Sequence, residues 1–211
     1  MIDIFFAIGS SVCHQMFERS IFMGGNYLPV CARCTGIYIG FSISALYLFF
    51  SKGYKGNKVF NLYQTVFMIL CFLPFMIDGA GSYIGLWQSN NFLRIITGSI
   101  GGWAVVPFMV LVYNFSSKGE NTVPIFKKDY HVIFICIFCV LIGITIYYGI
   151  LDKLYFVFSV LISMGIVIYY SEICAVILKL IFSKTSDKII LSVSFIMGVS
   201  IIIFVSIITG G

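Results

Sequence analysis

Charged residues are scarce in this chain. Only 10% of its 211 residues are Asp, Glu, Lys or Arg, whereas 60% are hydrophobic, and the mean hydropathy is +1.06. A soluble domain of this size needs a more polar surface, so the composition excludes a protein that folds in water alone. We therefore expect a multi-pass integral protein of the cell membrane, with the lipid bilayer as its solvent and main partner.

The chain also lacks the signals of several other classes. It has no basic arm or basic helix, so its net charge of +5 does not indicate a nucleic-acid partner. The first twelve residues lack a positively charged start, and their apolar stretch of about ten residues is too short to span a bilayer. This segment is predicted to be an interfacial or re-entrant lead-in rather than a removable signal peptide. No linker or repeat divides the chain, which predicts a single transmembrane domain over residues 1–211.

Long apolar runs are what the chain does contain. These runs are continuous rather than alternating, and lipid offers no hydrogen-bond partners to the backbone, so we expect helices and not barrel strands. If one span takes about 17 to 25 apolar residues, six helices are predicted near 30–50, 62–80, 93–114, 131–151, 154–178 and 189–208. The predicted fold class is thus an all-α, polytopic transmembrane helix bundle.

Lysine is distributed unevenly along the chain. Nine of the ten lysines fall in the loops after the first, third and fifth predicted spans, namely Lys52, Lys55, Lys58, Lys118, Lys127, Lys128, Lys179, Lys184 and Lys188. The positive-inside rule places these loops in the cytoplasm, so both termini are predicted to be non-cytoplasmic. The opposite side carries Lys153 and all three arginines, Arg19, Arg33 and Arg94.

Potential metal ligands are concentrated around the start of the first span. Cys13 and His14 are adjacent, and Cys31 and Cys34 follow as a C-x-x-C pair. Thiolates and an imidazole at such spacing are typical ligands of a zinc or iron ion. The same thiols would alternatively form a structural or redox-active disulfide, because Arg33 and the helix start lower the pKa of a nearby thiol. The third alternative is that the cysteines have neither a metal-binding nor a redox role. The spacing does not decide between these three alternatives.

A second polar group surrounds the turn between the second and third spans. Asp78 and Arg94 lie at the facing outer ends of these helices. An ionised side chain within a span costs about 2.5–3.5 kcal/mol, and pairing Asp78 with Arg94 would relieve that cost. Alternatively, Arg94 with Arg19 or Arg33 binds an anion such as a carboxylate or phosphate. Asp78 and Asn91 complete the predicted substrate-binding set.

Three further features are notable. The Gly-x-x-x-Gly patterns at 36–40 and 98–102 predict close helix packing. Cys136 and Cys139 lie on an uninterrupted apolar helix and are interpreted as small buried hydrophobes.

Glu172 lies within the fifth span toward its inner end, where a carboxylate must be protonated, paired or in contact with water. A role for Glu172 in a proton or cation path is the alternative to a structural one.

Both polar groups belong to a recognisable pair of sequence blocks. The first block consists of Cys13-His14-Gln15, Arg19-Ser20 and the run Cys-Ala-Arg-Cys-Thr-Gly-Ile-Tyr from Cys31 to Tyr38. The second consists of Asp78-Gly79, Gly85-Leu86, Ser89, Asn91, Arg94 and Thr97-Gly98. Together they resemble a family of small prokaryotic predicted membrane proteins whose domain has no known function. The resemblance covers residues 13–102, and residues 103–211 are predicted to add further transmembrane helices.

The resemblance implies that the two blocks form one module. The positions that it carries over are Cys13, His14, Arg19, Cys31, Arg33, Cys34, Asp78, Asn91 and Arg94. The chain departs from the expected pattern four residues after Asp78, where Ser82 replaces a Gln. It departs again at Trp87 and Gln88, which replace polar or charged residues.

Three classes of function remain compatible with the sequence. In the favoured one, an outer vestibule binds or transports a metal ion or a small anionic substrate, and Cys13, His14, Cys31 and Cys34 hold zinc or iron. In the second, the chain is an enzyme, either a thiol-disulfide oxidoreductase or one that acts on a lipid-linked anion with His14 or Asp78 as acid or base. In the third, it is a structural or accessory membrane protein.

Overall fold

The computed structural model describes residues 2–116, 119–182 and 185–209. Lys118 and Lys184, two of the lysines used to predict orientation, lie outside these residues. The described chain begins with helix α1 (Ile2–Ser10) and a hairpin of strands β1 (Ser20–Met23) and β2 (Asn26–Cys31). Six long helices follow: α2 (Ala32–Ser51), α3 (Leu62–Tyr83), α4 (Asn91–Asn114), α5 (Tyr130–Tyr147), α6 (Tyr155–Ile181) and α7 (Asp187–Thr209).

The predicted six-span helix bundle is confirmed. Each of α2 to α7 is long and apolar enough to cross a membrane, so the chain is a multi-pass membrane protein. The N-terminal lead-in forms α1, whose nine residues are too few to span a bilayer. The end of the fourth span differs from the prediction, since α5 stops at Tyr147 and not at residue 151. Gly149 adopts φ +67°, a left-handed conformation that terminates helices.

The hairpin was not predicted, and it connects α1 to the bundle. Four apolar side chains of its strands, Ile21, Met23, Leu28 and Val30, are buried in a core cluster shared with α2, α4 and α6. Burial of this apolar face holds the hairpin on the helices, because it removes four large side chains from solvent. The last residue of β2, Cys31, directly precedes α2 and occupies its N-cap position.

Helices α2 and α4 form the centre of the bundle and touch along their backbones. A Cβ atom added at Gly36 would overlap the carbonyl oxygen of Ile95, and one added at Gly98 would overlap that of Arg33. The same holds at Gly102 against Ile37. The predicted close packing at the two glycine patterns is confirmed, because only residues without side chains allow this approach.

The two ends of the bundle differ in their basic residues. Successive helices alternate in direction, so the hairpin shares one end with the starts of α2, α4 and α6 and the ends of α3, α5 and α7; we call this the hairpin end. All three arginines lie at or beside it, whereas the loops after α2, α4 and α6 form the lysine end. The positive-inside rule predicts that the lysine end is cytoplasmic, and the non-cytoplasmic location of both termini stays a prediction.

The backbone contact between α2 and α4 yields a stability prediction. Gly102→Ala places a methyl group against the Ile37 carbonyl, so we expect it to destabilise the fold by about 1–3 kcal/mol, the usual range for overpacking. Equilibrium unfolding of the purified protein in detergent measures the change. Gly79→Ala on α3 is the matched control, because an added Cβ there has no neighbour within 4 Å; it should leave stability unchanged or raise it slightly, since Ala favours a helix more than Gly does. Equal stability of the two variants would contradict the assigned contact.

Candidate functional site

Three cysteines meet at the hairpin end. The Sγ atoms of Cys13, Cys31 and Cys34 all lie within 4.8 Å of one another, and each residue is partly buried. Cys31 and Cys34 come from the N-cap and the first turn of α2, where C-x-x-C spacing places two side chains on one side of a helix. Cys13 comes from the loop after α1, so the cluster joins two separate segments of the chain.

The loop that carries Cys13 is held by a neighbouring glutamine. The side-chain amide of Gln15 donates to the carbonyl oxygens of Phe6 on α1 (2.6 Å) and Pro29 on β2 (2.8 Å). In addition, the backbone N–H groups of Gln15 and Cys31 donate to Cys13 Sγ, at 3.4 and 3.2 Å. These contacts hold the Cys13 sulfur close to the other two thiols. In the sequence, Gln15 stands out only as a member of the first block, and its place directly after Cys13-His14 is the available signal of this role.

The three thiols are not electrostatically equivalent. Hydrogen bonds from the thiols of Cys13 and Cys34 lower the pKa of Cys31, with further help from backbone N–H groups at the start of α2, and burial opposes this effect only partly. The hydrogen bond to Cys31 conversely raises the pKa of Cys13. The environment of the cluster therefore favours the thiolate form more at Cys31 than at Cys13.

Three of the four predicted metal ligands are thus brought together. His14 follows Cys13 in the chain, but its side chain is exposed. Its ring nitrogens do not lie with the three sulfur atoms in the cluster. Its role as a fourth ligand stays a prediction.

The predicted ion pair of Asp78 is corrected by the structure. Arg33, and not Arg94, binds Asp78: the Arg33 Nη2 and Nε atoms lie 2.6 and 3.0 Å from Asp78 Oδ2. Arg33 projects from the first turn of α2, beside the end of α3, and its Nη2 also donates to Ser82 Oγ at 3.0 Å. Arg94 instead donates to Asn91 Oδ1, one turn earlier on its own helix, at 3.2 Å.

Asp78 is buried, and only one of its oxygens is used. Thr97 on α4 donates to Asp78 Oδ2 at 3.2 Å, so this carboxylate links α2, α3 and α4. The other oxygen, Oδ1, makes no hydrogen bond of regular geometry among the described residues, and the buried hydroxyl of Ser89 is a nearby donor to this carboxylate.

The remaining predicted substrate-binding residues surround this pair. Asn91 donates to the backbone oxygen of Glu18 at 3.2 Å and so ties the start of α4 to the segment before the hairpin. Arg19, in the same segment, is exposed. Arg19 and Arg33 lie near enough to act electrostatically on Arg94, as does Cys31. The hairpin end therefore combines a thiol cluster with a group of guanidinium ions.

Comparison with known proteins covers this same region. Residues 13–108 match the family described as predicted membrane protein, DUF2085. An uncharacterised protein of Methanocaldococcus jannaschii is 38% identical over 108 residues, which are 51% of this chain and 67% of that relative. The chain belongs to this family. An uncharacterised protein of Methanothermobacter thermautotrophicus is 36% identical over 91 residues, which are 43% of this chain and 78% of that relative. No solved structure shows a significant match. The DUF2085 match contains the cysteine cluster and the Asp78 pair, whereas α5, α6 and α7 lie beyond it.

The corrected ion pair yields a second stability prediction. Asp78→Ala leaves the Arg33 guanidinium, only 22% exposed, without its partner, and we expect a loss of about 3 kcal/mol or more. Equilibrium unfolding in detergent measures this loss. Asp187→Ala is the control, because the Lys179–Asp187 pair is exposed on the aspartate side and should contribute about 0–1 kcal/mol. If both variants lose the same amount of unfolding free energy, the Arg33–Asp78 pair contributes no more to stability than the exposed pair does.

Proposed function

We propose that this membrane protein binds a soft metal ion, zinc foremost, through the thiolates of Cys13, Cys31 and Cys34 at the end of the bundle predicted to face outward. The observation that carries the proposal is the convergence of three sulfur atoms from two separate segments within 4.8 Å. In a tetrahedral site with Zn–S bonds of about 2.3 Å, neighbouring sulfurs are about 3.8 Å apart. Small side-chain adjustments would therefore suffice to hold the ion.

The surroundings of the cluster suit a thiolate site. Two backbone N–H groups donate to the Cys13 sulfur, and the backbone N–H groups at the start of α2 help to lower the pKa of Cys31. A zinc ion with three thiolates carries a net charge of −1, and the nearby positive charge of Arg94 would offset it. The same soft thiolate donors would also bind iron, which is the alternative metal in this proposal.

The fourth coordination position would be open in such a site. Zinc sites with three protein ligands keep this position for water or an exchanging ligand. The exposed His14, adjacent to Cys13, is one candidate ligand, and a small anion held by the neighbouring guanidinium ions is another. Transport of a metal ion would require that the ion bind and then be released. An exchangeable coordination position would allow both steps.

Metal content tests the proposal directly. We expect the full-length chain, purified in detergent under reducing conditions and incubated with Zn²⁺, to retain about one zinc per chain by elemental mass spectrometry. Cys31→Ser and Cys34→Ser should each weaken binding by more than about tenfold, since even outer-shell changes cost 10–100-fold. Cys174→Ser, which alters a buried thiol on α6 outside the cluster, should bind as the native chain does. A native chain with free thiols that retains no zinc, iron or copper would overturn the proposal.

Dithiol-disulfide exchange is the second candidate function. It is favoured by the place of Cys31 at the start of α2, in contact with two other thiols. A Cys31–Cys34 disulfide would accept two electrons and two protons from a dithiol of a partner protein, which would itself become a disulfide. Alkylation before and after reduction, read by mass spectrometry, separates the two functions: redox cycling requires a chain in which two cluster thiols become alkylatable only after reduction.

A further inference from the structure

A large cavity lies at the lysine end, far from the cysteine cluster. It has a volume of about 530 Å³ and is bounded by α4, α6, α7 and the turn after α2. A second cavity of about 470 Å³ adjoins it and shares the side chains of Tyr54, Val110 and Glu172. Both volumes fall in the range of small-molecule sites, about 300–1,000 Å³. Most of the lining side chains are apolar.

Glu172, on α6, is the charged side chain that lines both cavities. Its Oε2 atom is completely buried and has no hydrogen-bond partner among residues 2–116, 119–182 and 185–209. Asp187 lines the same larger cavity, but it is paired with Lys179 and accepts a hydrogen bond from Tyr113. A carboxylate in a membrane span is costly unless it is paired or hydrogen-bonded, so the Glu172 carboxylate lacks the partner that its position calls for.

We propose that Glu172 binds the protonated amine of an amphipathic ligand, whose apolar body occupies these cavities. An ionised carboxylate only accepts hydrogen bonds, so its partner must be a donor or a cation. The mostly apolar walls favour a ligand whose remainder is apolar. The chain's own lysines already lie over the aromatic rings of the larger cavity, Lys55 over Tyr54 and Lys179 over Tyr113, so the ligand's amine is left to Glu172. A hard divalent ion such as Ca²⁺ or Mg²⁺ fits less well, because it takes about six or more oxygen ligands and Asp187 is already engaged.

Two sources share this chemistry. One is a free amphipathic amine, and the other is the headgroup of an aminophospholipid whose chains lie along the apolar walls. This site is independent of the proposed metal site, since it uses other residues and lies at the other end of the bundle.

A matched pair of probes tests the proposal. The probes are 2-naphthylmethylamine, which is protonated at neutral pH, and 2-naphthylmethanol, its neutral counterpart of similar shape. Their binding to the full-length chain in maltoside detergent is measured by calorimetric titration. We expect the amine to bind about 10- to 100-fold more tightly than the alcohol, the gain from a hydrogen bond to a charged group. Glu172→Gln should abolish this preference.

Two controls make the outcome decisive. Asp187→Asn removes the paired carboxylate of the same cavity and should keep the preference for the amine. Binding of the alcohol to Glu172→Gln at native strength would show that the cavity is intact in that variant. Equal binding of both probes to the native chain, absence of amine binding, or loss of preference only in Asp187→Asn would each overturn the proposal. Displacement of the amine by added phosphatidylethanolamine would identify the lipid source, and its persistence the free amine.

Discussion

The backbones of α2 and α4 touch, and the polar chemistry of the hairpin end depends on that contact. Gly98 lies against the carbonyl of Arg33, so the first turn of α2 is fixed beside the start of α4. Thr97, next to Gly98, thereby reaches the same Asp78 oxygen that Arg33 binds. Because that turn also carries Cys34, the position of the thiol cluster follows from the packing of Gly98 against the backbone of α2.

The two ends of the bundle offer different chemistry. At the hairpin end, soft sulfur atoms lie beside guanidinium ions, a combination that suits a metal ion with a net negative thiolate shell. At the lysine end, the Glu172 carboxylate, whose buried Oε2 has no hydrogen-bond partner among the described residues, faces mostly apolar cavities, a combination that suits an organic cation. The family match covers the first of these sites and ends within α4, before Glu172.

The parts of the fold that depend on local sequence could be predicted. The six spans follow from continuous apolar runs, and the pairing of Cys31 with Cys34 follows from one turn of helix. The hairpin was missed because its strands are only four and six residues long, and a hydropathy pattern for spans does not detect them. The approach of Cys13 depends on the hairpin and on Gln15, both of which act between distant segments. Asp78 was assigned to Arg94 because the sequence indicates which helix ends meet, but not which side chains face each other. Glu172 was recognised as a buried acid, whereas the cavity beside it arises only from packed helices.

In the proposed metal site, three thiols from two segments of the chain bind one ion. X-ray absorption at the zinc edge of the loaded, purified chain tests it most directly, because it reports the atoms bound to the ion. If the three thiolates bind zinc, we expect about three sulfur neighbours at about 2.3 Å, with one lighter atom completing the shell. A shell of oxygen and nitrogen atoms without sulfur would contradict it.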